Sequence, residues 1–283
     1  MGKCVTAFFM AWGNFLTLPC PVKKWDDKLK NLMLAFFPSV GAVIGILWVF
    51  IMWLINDGVR FYDGVLNNLA ASGAAIPMEA VVLVYFIFKI SGFMHLDGFM
   101  DCSDAILSRA PLEKKQQILK DSRVGAFAVI SVIFLILGWF AVMWSLLAYC
   151  GADFGRILAA LLVPITSRGC SAIWLMTYKP MATSQYQENS QDPNKGRYKI
   201  IVIAQMIIYM VLYLLISSIW IGVALEEALK LGALVMAAVG VSSYVVAARS
   251  RASLGGMNGD ISGYSLTVGE LVGTAVLVLV VAG

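Results

Sequence analysis

The segment HLDGFMDCSDAILSR, residues 95–109, has the composition of a cation-binding site. It contains the single histidine of the chain, His95, and three aspartates, Asp97, Asp101 and Asp104, with no basic residue between them. On a helix, the spacing i, i+4, i+7 places the three carboxylates within an arc of about 60°. Because like charges at this spacing repel each other, the pattern predicts a bound divalent cation, and carboxylate oxygens suit Mg²⁺, Mn²⁺ or Ca²⁺.

His95 lies about 160° around the same helix from Asp97. A packing or capping role and a catalytic role are therefore both open for it. A solvated loop without any ligand is the simpler interpretation of the whole segment. Gly92, Gly98 and the surrounding apolar residues favour a packed helix end instead.

Two further segments offer groups that bind phosphate. In KDSRVGAFA, residues 120–128, Asp121 and Arg123 stand where an apolar run begins. They either anchor that run at the membrane surface or combine a base or metal ligand with a phosphate-binding arginine. Arg168, in VPITSRGCSAIW, lies well inside another apolar run, where an arginine costs roughly 2.5 kcal/mol or more. We predict an anion-binding role for it in preference to snorkelling.

The segment RASLGGMNGDISGY, residues 251–264, is rich in glycine between two apolar runs. Gly255 and Gly256 permit tight turns and a close approach of the backbone to a ligand. Asn258 and Asp260 add side-chain oxygens. A plain loop between helices would also contain such glycines, so the pattern alone does not distinguish the two.

The elements that must position these residues are membrane helices. The chain of 283 residues is 60% hydrophobic and 13% charged, well below the roughly 25% of charged residues in soluble domains. Seven apolar runs are long enough to cross a hydrocarbon core of roughly 30 Å. They occupy residues 32–55, 74–94, 124–149, 155–177, 200–225, 231–248 and 264–282.

Helices satisfy their own backbone hydrogen bonds in lipid, and the alternation typical of a barrel strand is missing from these runs. The sequence therefore predicts an all-α, polytopic membrane bundle of about seven transmembrane helices, forming a single catalytic domain over residues 1–283. The shorter apolar stretch 5–18 predicts an additional N-terminal interfacial or re-entrant helix.

The distribution of Lys and Arg predicts the orientation. Most of them lie in one alternate set of loops, at 1–31, 95–123, 178–199 and 249–263. The opposite loops contain only Arg60, Arg156 and Lys230. Because basic loops stay on the cytoplasmic side, we expect the carboxylate segment to face the cytoplasm, with the protein in the cell (inner) membrane.

Several classes of function are excluded by what the sequence lacks. It has no phosphate loop, no dinucleotide fingerprint and no nucleic-acid motif, and its five cysteines form no CxxC pair. The remaining groups favour Mg²⁺-dependent transfer chemistry on a diphosphate. A transporter is the competing class, but it would place its site near the bilayer midplane between repeated halves. Here the carboxylates gather at one face and no repeat is visible.

Three segments together resemble a known family. GFMHLDGFMDCSDAILS, KDSRVGAFA and GGMNGDISGY are similar to the signature segments of the adenosylcobinamide-GDP ribazoletransferase (cobalamin synthase) family. Weaker matches are FPSVGAVIG, SRG at 167–169 and Glu270, and all occur in family order over residues 15 to 270. One departure is FLTLPCP at 15–21, which lacks the arginine of the family's FxTRxPxP, so we assign no site residue there.

The resemblance implies that adenosylcobinamide-GDP reacts with α-ribazole or α-ribazole 5′-phosphate, giving adenosylcobalamin or its 5′-phosphate and GMP. It implies Mg²⁺ on Asp97, Asp101 and Asp104, phosphate binding by Arg123 and Arg168, and a base at Asp121 or Asp260. The expected partners are the two substrates and the lipid bilayer, without nucleic acid. A homo-oligomer, or association with other cobalamin-assembly enzymes, is left open.

CDP-alcohol phosphotransferases and membrane prenyl transferases are the nearest alternative enzymes. The former continue their motif as DGxxAR, followed by GxxxDxxxD, and this chain has only Asp97-Gly98 of that pattern. The latter would require a second DxxxD motif, which the sequence lacks.

Overall fold

The computed structural model describes residues 2–55, 75–150, 154–182, 184–187 and 192–282, and this part of the chain forms a helical bundle without a β-sheet. The helices are, in chain order, α1 (Lys3–Phe15), α2 (Lys30–Ala35), α3 (Phe37–Trp53), α4 (Ala75–Lys89), α5 (Met94–Leu107), α6 (Leu112–Ile118), α7 (Ala126–Cys150), α8 (Phe154–Leu158), α9 (Leu162–Thr177), α10 (Lys195–Leu215), α11 (Leu225–Leu254) and α12 (Gly259–Ala282). Short 3₁₀ turns precede α2 and α9, and a π-helical turn extends α10.

Within the described residues, five stretches are long and apolar enough to cross a membrane, namely α7, the continuous α8–α9 segment, α10, α11 and α12. Two bent pairs, α2–α3 with a bend of 53° and α4–α5 with a bend of 85°, raise the number to seven if each pair is one span. The predicted polytopic helical bundle is therefore confirmed. The predicted loop at 56–73, with Arg60, lies outside the described residues.

The α8–α9 segment and α12 form the centre of the bundle. The window Gly155–Thr177 is 83% buried by the rest of the protein, compared with 17% for the window in α10. Gly41 and Gly45 let α3 pack directly on the backbone of the central segment, near Pro164 and Leu161. A side chain at either glycine would collide with that backbone, which agrees with the close helix packing that GxxxG spacing favours.

The N-terminal helix α1 packs on the bundle and is too short to cross a membrane. Its 13 residues extend about 20 Å, which is short of a hydrocarbon core of roughly 30 Å. Ala7, Met10 and Ala11 are buried in the core. The helix predicted at 5–18 is thus present, and its placement at the membrane interface stays a prediction.

The sharp bend between α4 and α5 sets the direction of the carboxylate helix. Gly92 and Phe93 both adopt left-handed backbone angles, with φ of +63° and +60°. Thr17 docks on this bend, since its N–H donates to the Ile90 carbonyl at 2.9 Å. The segment that follows α1 is therefore attached directly to the start of α5.

The polar loop predicted at 249–263 is much shorter than expected. Helix α11 continues to Leu254 and α12 begins at Gly259, so only residues 255–258 are non-helical. The reason is packing, because Ile261, Ser262 and Gly263 are buried against neighbouring helices. Asp260 consequently stands in the first turn of a central helix.

Candidate active site

The helix α5 carries the three predicted metal ligands. It begins at Met94, so His95 and the three aspartates belong to one helix, as predicted. Asp97 is exposed, whereas Asp101 and Asp104 are half-buried. The other face of α5 is buried in the bundle, which leaves the carboxylates at its edge.

A close crossing of α5 and α12 adds a fourth carboxylate. A Cβ built on Gly98 would lie 2.9 Å from the backbone of Asp260, and one on Gly263 would lie 3.1 Å from the Cα atom of His95. Only glycine permits these two backbones to approach so closely. The crossing therefore places Asp260 beside the carboxylate face of α5.

The electrostatics of this acidic cluster, Asp97, Asp101 and Asp260, are unbalanced. The negative charge of Asp101 is repelled by the charges of Asp97, Asp260 and Asp104. The charge of Asp260 is likewise repelled by that of Asp97. Within the described residues, no Lys or Arg forms an ion pair with any of the three. Nor do three or more His, Cys, Asp or Glu side chains in this part of the chain form a ready-made metal cage.

Asp104 has a different environment from the other aspartates of α5. Its Oδ2 accepts the N–H of Gly125 at 2.6 Å, and its Oδ1 accepts the N–H of Ala128 at 2.9 Å. These are unpaired donors at the start of α7, so Asp104 caps that helix from a distance in sequence. Both of its oxygens are already engaged, which distinguishes it from Asp97 and Asp101 as a predicted metal ligand.

Asn258 organises the first turn of α12. Its Nδ2 donates to Asp260 Oδ2 at 2.7 Å, and its Oδ1 accepts the N–H of Ile261 at 2.9 Å. Asn258 therefore fixes the Asp260 carboxylate and caps the helix at the same time.

The two glycines predicted to approach a ligand are explained by the chain itself. Gly255 ends α11 with a left-handed φ of +84°. A Cβ on Gly256 would lie 2.7 Å from the backbone nitrogen of Met181. Met257 pairs with the same segment, accepting the N–H of Met181 at 2.9 Å. The close approach at Gly256 is thus to this backbone, and phosphate binding there stays a prediction.

Asp121 and Arg123 form a surface pair just before α7. Arg123 donates to both carboxylate oxygens, with Nη2 to Oδ2 at 2.7 Å and Nε to Oδ1 at 3.0 Å. These hydrogen bonds lower the pKa of Asp121 to about 2. They also raise the pKa of Arg123. Arg123 stands two residues before Gly125, whose N–H binds Asp104, so the pair lies at the rim of the carboxylate region.

Arg168 lies in the core and is neutralised there. Its side chain is 1% exposed and pairs with Glu270 of α12 through Nη1. Ser167 Oγ donates to the same Glu270 carboxylate at 2.8 Å. The arginine predicted to bind an anion therefore has an intramolecular anion, and its binding of phosphate stays a prediction that this arrangement does not favour.

His95 lies in the same buried region as Arg168, and the positive charge of Arg168 acts electrostatically on the His95 ring. Its side chain is 8% exposed, its ring lies 6.2 Å from that of Phe37, and its Nε2 has no partner among the described residues. Since the ring is buried on the far side of α5 from Asp97, the structure supports packing more than direct catalysis.

Two further features of the structure carry no motif in the sequence. Tyr186 packs close to Gly259 and Asp260, and burial, with the charge of Asp260, raises the pKa of its hydroxyl. Lys23 and Lys24 line a cavity against α1. The sequence pointed to Lys23 and Lys24 only through the arginine that is missing from FLTLPCP. No local pattern marked Tyr186.

The comparisons with known proteins point to one family. The family model described as cobalamin-5-phosphate synthase matches residues 7–279. The chain is 33% identical over 271 residues to an adenosylcobinamide-GDP ribazoletransferase of Clostridium perfringens (strain SM101 / Type A), covering 96% of each chain. It is 32% identical over 273 residues to that of Clostridium botulinum (strain Alaska E43 / Type E3), covering 96% of this chain and 97% of the relative.

A more distant relative carries the same name. The adenosylcobinamide-GDP ribazoletransferase of Lachnoclostridium phytofermentans (strain ATCC 700394 / DSM 18823 / ISDg) is 27% identical over 280 residues, covering 98% of this chain and 95% of the relative. No solved structure matches the chain significantly.

Proposed function

The chain belongs to the cobalamin-5-phosphate synthase family, and on that basis we propose that it joins adenosylcobinamide-GDP to α-ribazole or α-ribazole 5′-phosphate. The names of its relatives support this reaction. The structural observation that carries the proposal is the unbalanced acidic cluster of Asp97, Asp101 and Asp260, since a diphosphate substrate with its cation would complete it.

Mg²⁺ is the proposed cofactor, held by Asp97 and Asp101. Mg²⁺ commonly uses one or two protein carboxylates and completes its shell with waters and substrate phosphates, so two unpaired carboxylates one helical turn apart suit it. When bound, Mg²⁺ would neutralise charge on the diphosphate and on the departing phosphate. Asp104 is left to cap α7 in this assignment.

The proposed reaction balances as a single displacement. The ribose hydroxyl oxygen of α-ribazole forms a bond to the phosphorus that carries cobinamide. The bond from that phosphorus to the bridging oxygen breaks, and GMP leaves with its electron pair. The hydroxyl proton goes to a carboxylate of the protein.

Asp260 is the better candidate for that carboxylate. A general base works best when its pKa lies near the working pH, and the pKa of Asp121 is only about 2 because of Arg123. Asp260 is free of any cationic partner among the described residues and is oriented by Asn258 at 2.7 Å. Arg123, with its guanidinium at the rim, is proposed to meet phosphate oxygens.

The acidic cluster is proposed to face the cytoplasm, with the protein in the inner membrane. The support is the excess of Lys and Arg in the loops on that side. Labelling a cysteine introduced at position 190 tests this, and modification only from outside the cell would contradict the orientation.

The central experiment measures GMP release by the purified full chain. Adenosylcobinamide-GDP and α-ribazole are supplied together and singly, with Mg²⁺ and with a chelator. We expect GMP and cobalamin in equal amounts, only with both substrates and Mg²⁺. GMP release without ribazole would indicate hydrolysis instead, and undiminished transfer in chelator would contradict the metal assignment.

A further inference from the structure

A cavity lies outside the acidic cluster, between α1 and the segment that follows it. Its volume is about 330 Å³, and its lining includes Asn14, Lys23, Lys24 and Trp25. This size falls within the roughly 300–1,000 Å³ of small-molecule sites. The segment is folded back onto α1 by Cys20, whose thiol donates to the carbonyl of Phe9 at 3.4 Å.

The cavity combines free positive charge with an open aromatic face. Lys23 and Lys24 are exposed and form no ion pair with any residue in the described ranges. Trp25 is 51% exposed. Its indole N–H donates to Asp27 at 3.0 Å, which holds the ring in one orientation. Asp27 is itself paired with Lys30 at 3.0 Å, so it does not neutralise the two lysines of the cavity.

The cavity shares lining residues with a smaller one that reaches the start of α12. The smaller cavity shares Asn14 and Trp25 and adds Gln185 and Tyr186 to its lining. Gln185 and Tyr186 also pack against Gly259, with a Cβ at that position lying 3.6 Å and 3.8 Å from their side chains. The next residue is Asp260. Shared lining residues and the packing on Gly259 therefore link the lysine cavity to the helix turn that carries Asp260.

We propose that this lysine–tryptophan pocket binds the guanosine monophosphate half of the GDP-activated substrate. Lys23 and Lys24 supply point charges for its phosphate, and Trp25 offers a face on which the purine stacks. The diphosphate then extends past Tyr186 toward Asp97 and Asp101. The inference rests on the proposed function for the identity of the nucleotide, whereas the cavity and its charges do not depend on it.

The test is equilibrium binding of GMP to the full chain in nanodiscs of phosphatidylcholine, without corrinoid. Trp25→Ala and the double variant Lys23→Gln/Lys24→Gln are compared with wild type. Lys28→Gln is the matched control, because Lys28 is an exposed lysine of the same segment that does not line either cavity. Both altered lysines are on the surface, so folding is retained, as checked by size-exclusion chromatography.

We expect wild type and Lys28→Gln to bind GMP equally, and each pocket variant to bind it about tenfold more weakly, the scale of one stacking contact. CMP should compete less well than GMP, and inorganic phosphate least. Unchanged GMP affinity in the pocket variants would overturn the proposal, as would equal competition by phosphate. Displacement of GMP by phosphatidylglycerol in the nanodisc would identify a lipid headgroup as the occupant instead.

The outcome can be separated from that of the proposed reaction. If the wild type releases GMP in the transfer assay but the pocket variants bind GMP as tightly as wild type, the proposed reaction is supported and the proposed pocket is contradicted. GMP binding that depends on Lys23, Lys24 and Trp25, in a protein without transfer activity, supports the pocket and contradicts the reaction.

Discussion

Helix α12 carries two acidic residues in opposite situations, Asp260 in its first turn and Glu270 about 15 Å further along. Glu270 is buried, and its carboxylate is paired with Arg168 and accepts a hydrogen bond from Ser167 at 2.8 Å. Asp260 is half-buried and lies near further carboxylates on α5, and among the described residues only Asn258 donates a hydrogen bond to it. The first arrangement joins two central helices, and the second leaves charge unsatisfied at the edge of the bundle.

The difference indicates which charges are available to a ligand. Removing a charge from water is expensive unless a partner compensates it. Glu270 has that partner within the chain, so it has little to offer a substrate. Asp97, Asp101 and Asp260 have none in the described residues, so the proposed cation and phosphate would supply the missing charge balance. The comparison predicts that substitutions in the acidic cluster mainly reduce transfer, whereas substitutions in the buried pair mainly reduce stability.

The largest expected effect is the loss of transfer in Asp97→Asn. The amide keeps the size of the side chain but removes the charge that would hold the cation. We expect the rate to fall by about 10³-fold, the upper scale for removing one electrostatic group from an active site. GMP release in the purified variant measures this, together with a thermal melt that should be unchanged because Asp97 is exposed. Near-normal activity would remove Asp97 from the metal site.

Breaking the buried pair should act on stability first. Arg168→Ala leaves Glu270 charged and unpaired in the core, which costs about 3–5 kcal/mol for a buried pair. A thermal or denaturant melt in detergent measures the loss. The double variant Arg168→Met/Glu270→Leu should recover most of it, because neither charge then remains. If Arg168→Ala keeps wild-type stability and only weakens binding of the GDP-activated substrate, Arg168 is the anion site that the sequence suggested.

Gly98→Ala tests the crossing that creates the acidic cluster. A methyl group at this position would stand 2.9 Å from the Asp260 backbone, so α5 and α12 must separate. Overpacking of this kind costs about 1–3 kcal/mol, and we expect transfer to fall as well because Asp260 moves away from Asp97. Gly138→Ala is the matched control, since a Cβ there has only an ordinary contact, at 3.5 Å from Leu271. Equal activity in both variants would contradict a site shared between the two helices.

Asp104→Ala distinguishes the helix cap from the proposed metal ligands. Removing this side chain leaves the N–H groups of Gly125 and Ala128 without their acceptor, and the loss of a cap typically costs about 1 kcal/mol. We expect a lower melting temperature with transfer largely retained and an unchanged dependence on Mg²⁺ concentration. A marked rise in the Mg²⁺ concentration needed for activity would return Asp104 to the metal site.

Much of the fold could be predicted because membrane helices are recognised from composition alone. Every predicted span corresponds to a helix or a bent pair of helices. The extent of α12 could not be predicted, since polar residues such as Asp260 and Ser262 look like a loop. They are helical because α5 packs on them through Gly98 and Gly263, a contact between segments that are distant in sequence.

The grouping of carboxylates could be expected where spacing carries the signal. Asp97 and Asp101 are one helical turn apart in the sequence, and the glycine-rich segment 251–264 already offered Asp260 as an oxygen donor. The roles of Asp104 and Arg168 could not be derived in the same way, because their partners lie 21 and 102 residues away in the chain. Tyr186 had no local pattern at all, since only the packing of its loop on Gly259 brings it to the site.

The smallest expected effect is that of Asp121→Asn on the pH dependence of transfer. The pKa of Asp121 is lowered to about 2 by Arg123, so this carboxylate stays ionised at all higher pH and exchanges no proton over the neutral pH range in which a general base must work. A carboxylate in that state cannot cause a fall in kcat/KM toward acid within this range. We therefore expect the pH profile of Asp121→Asn to keep its shape, with at most a raised KM as Arg123 loses its fixed orientation. An acid limb that shifts or disappears in Asp121→Asn would assign the base to the surface pair, and the unbalanced cluster at Asp260 would then serve binding alone.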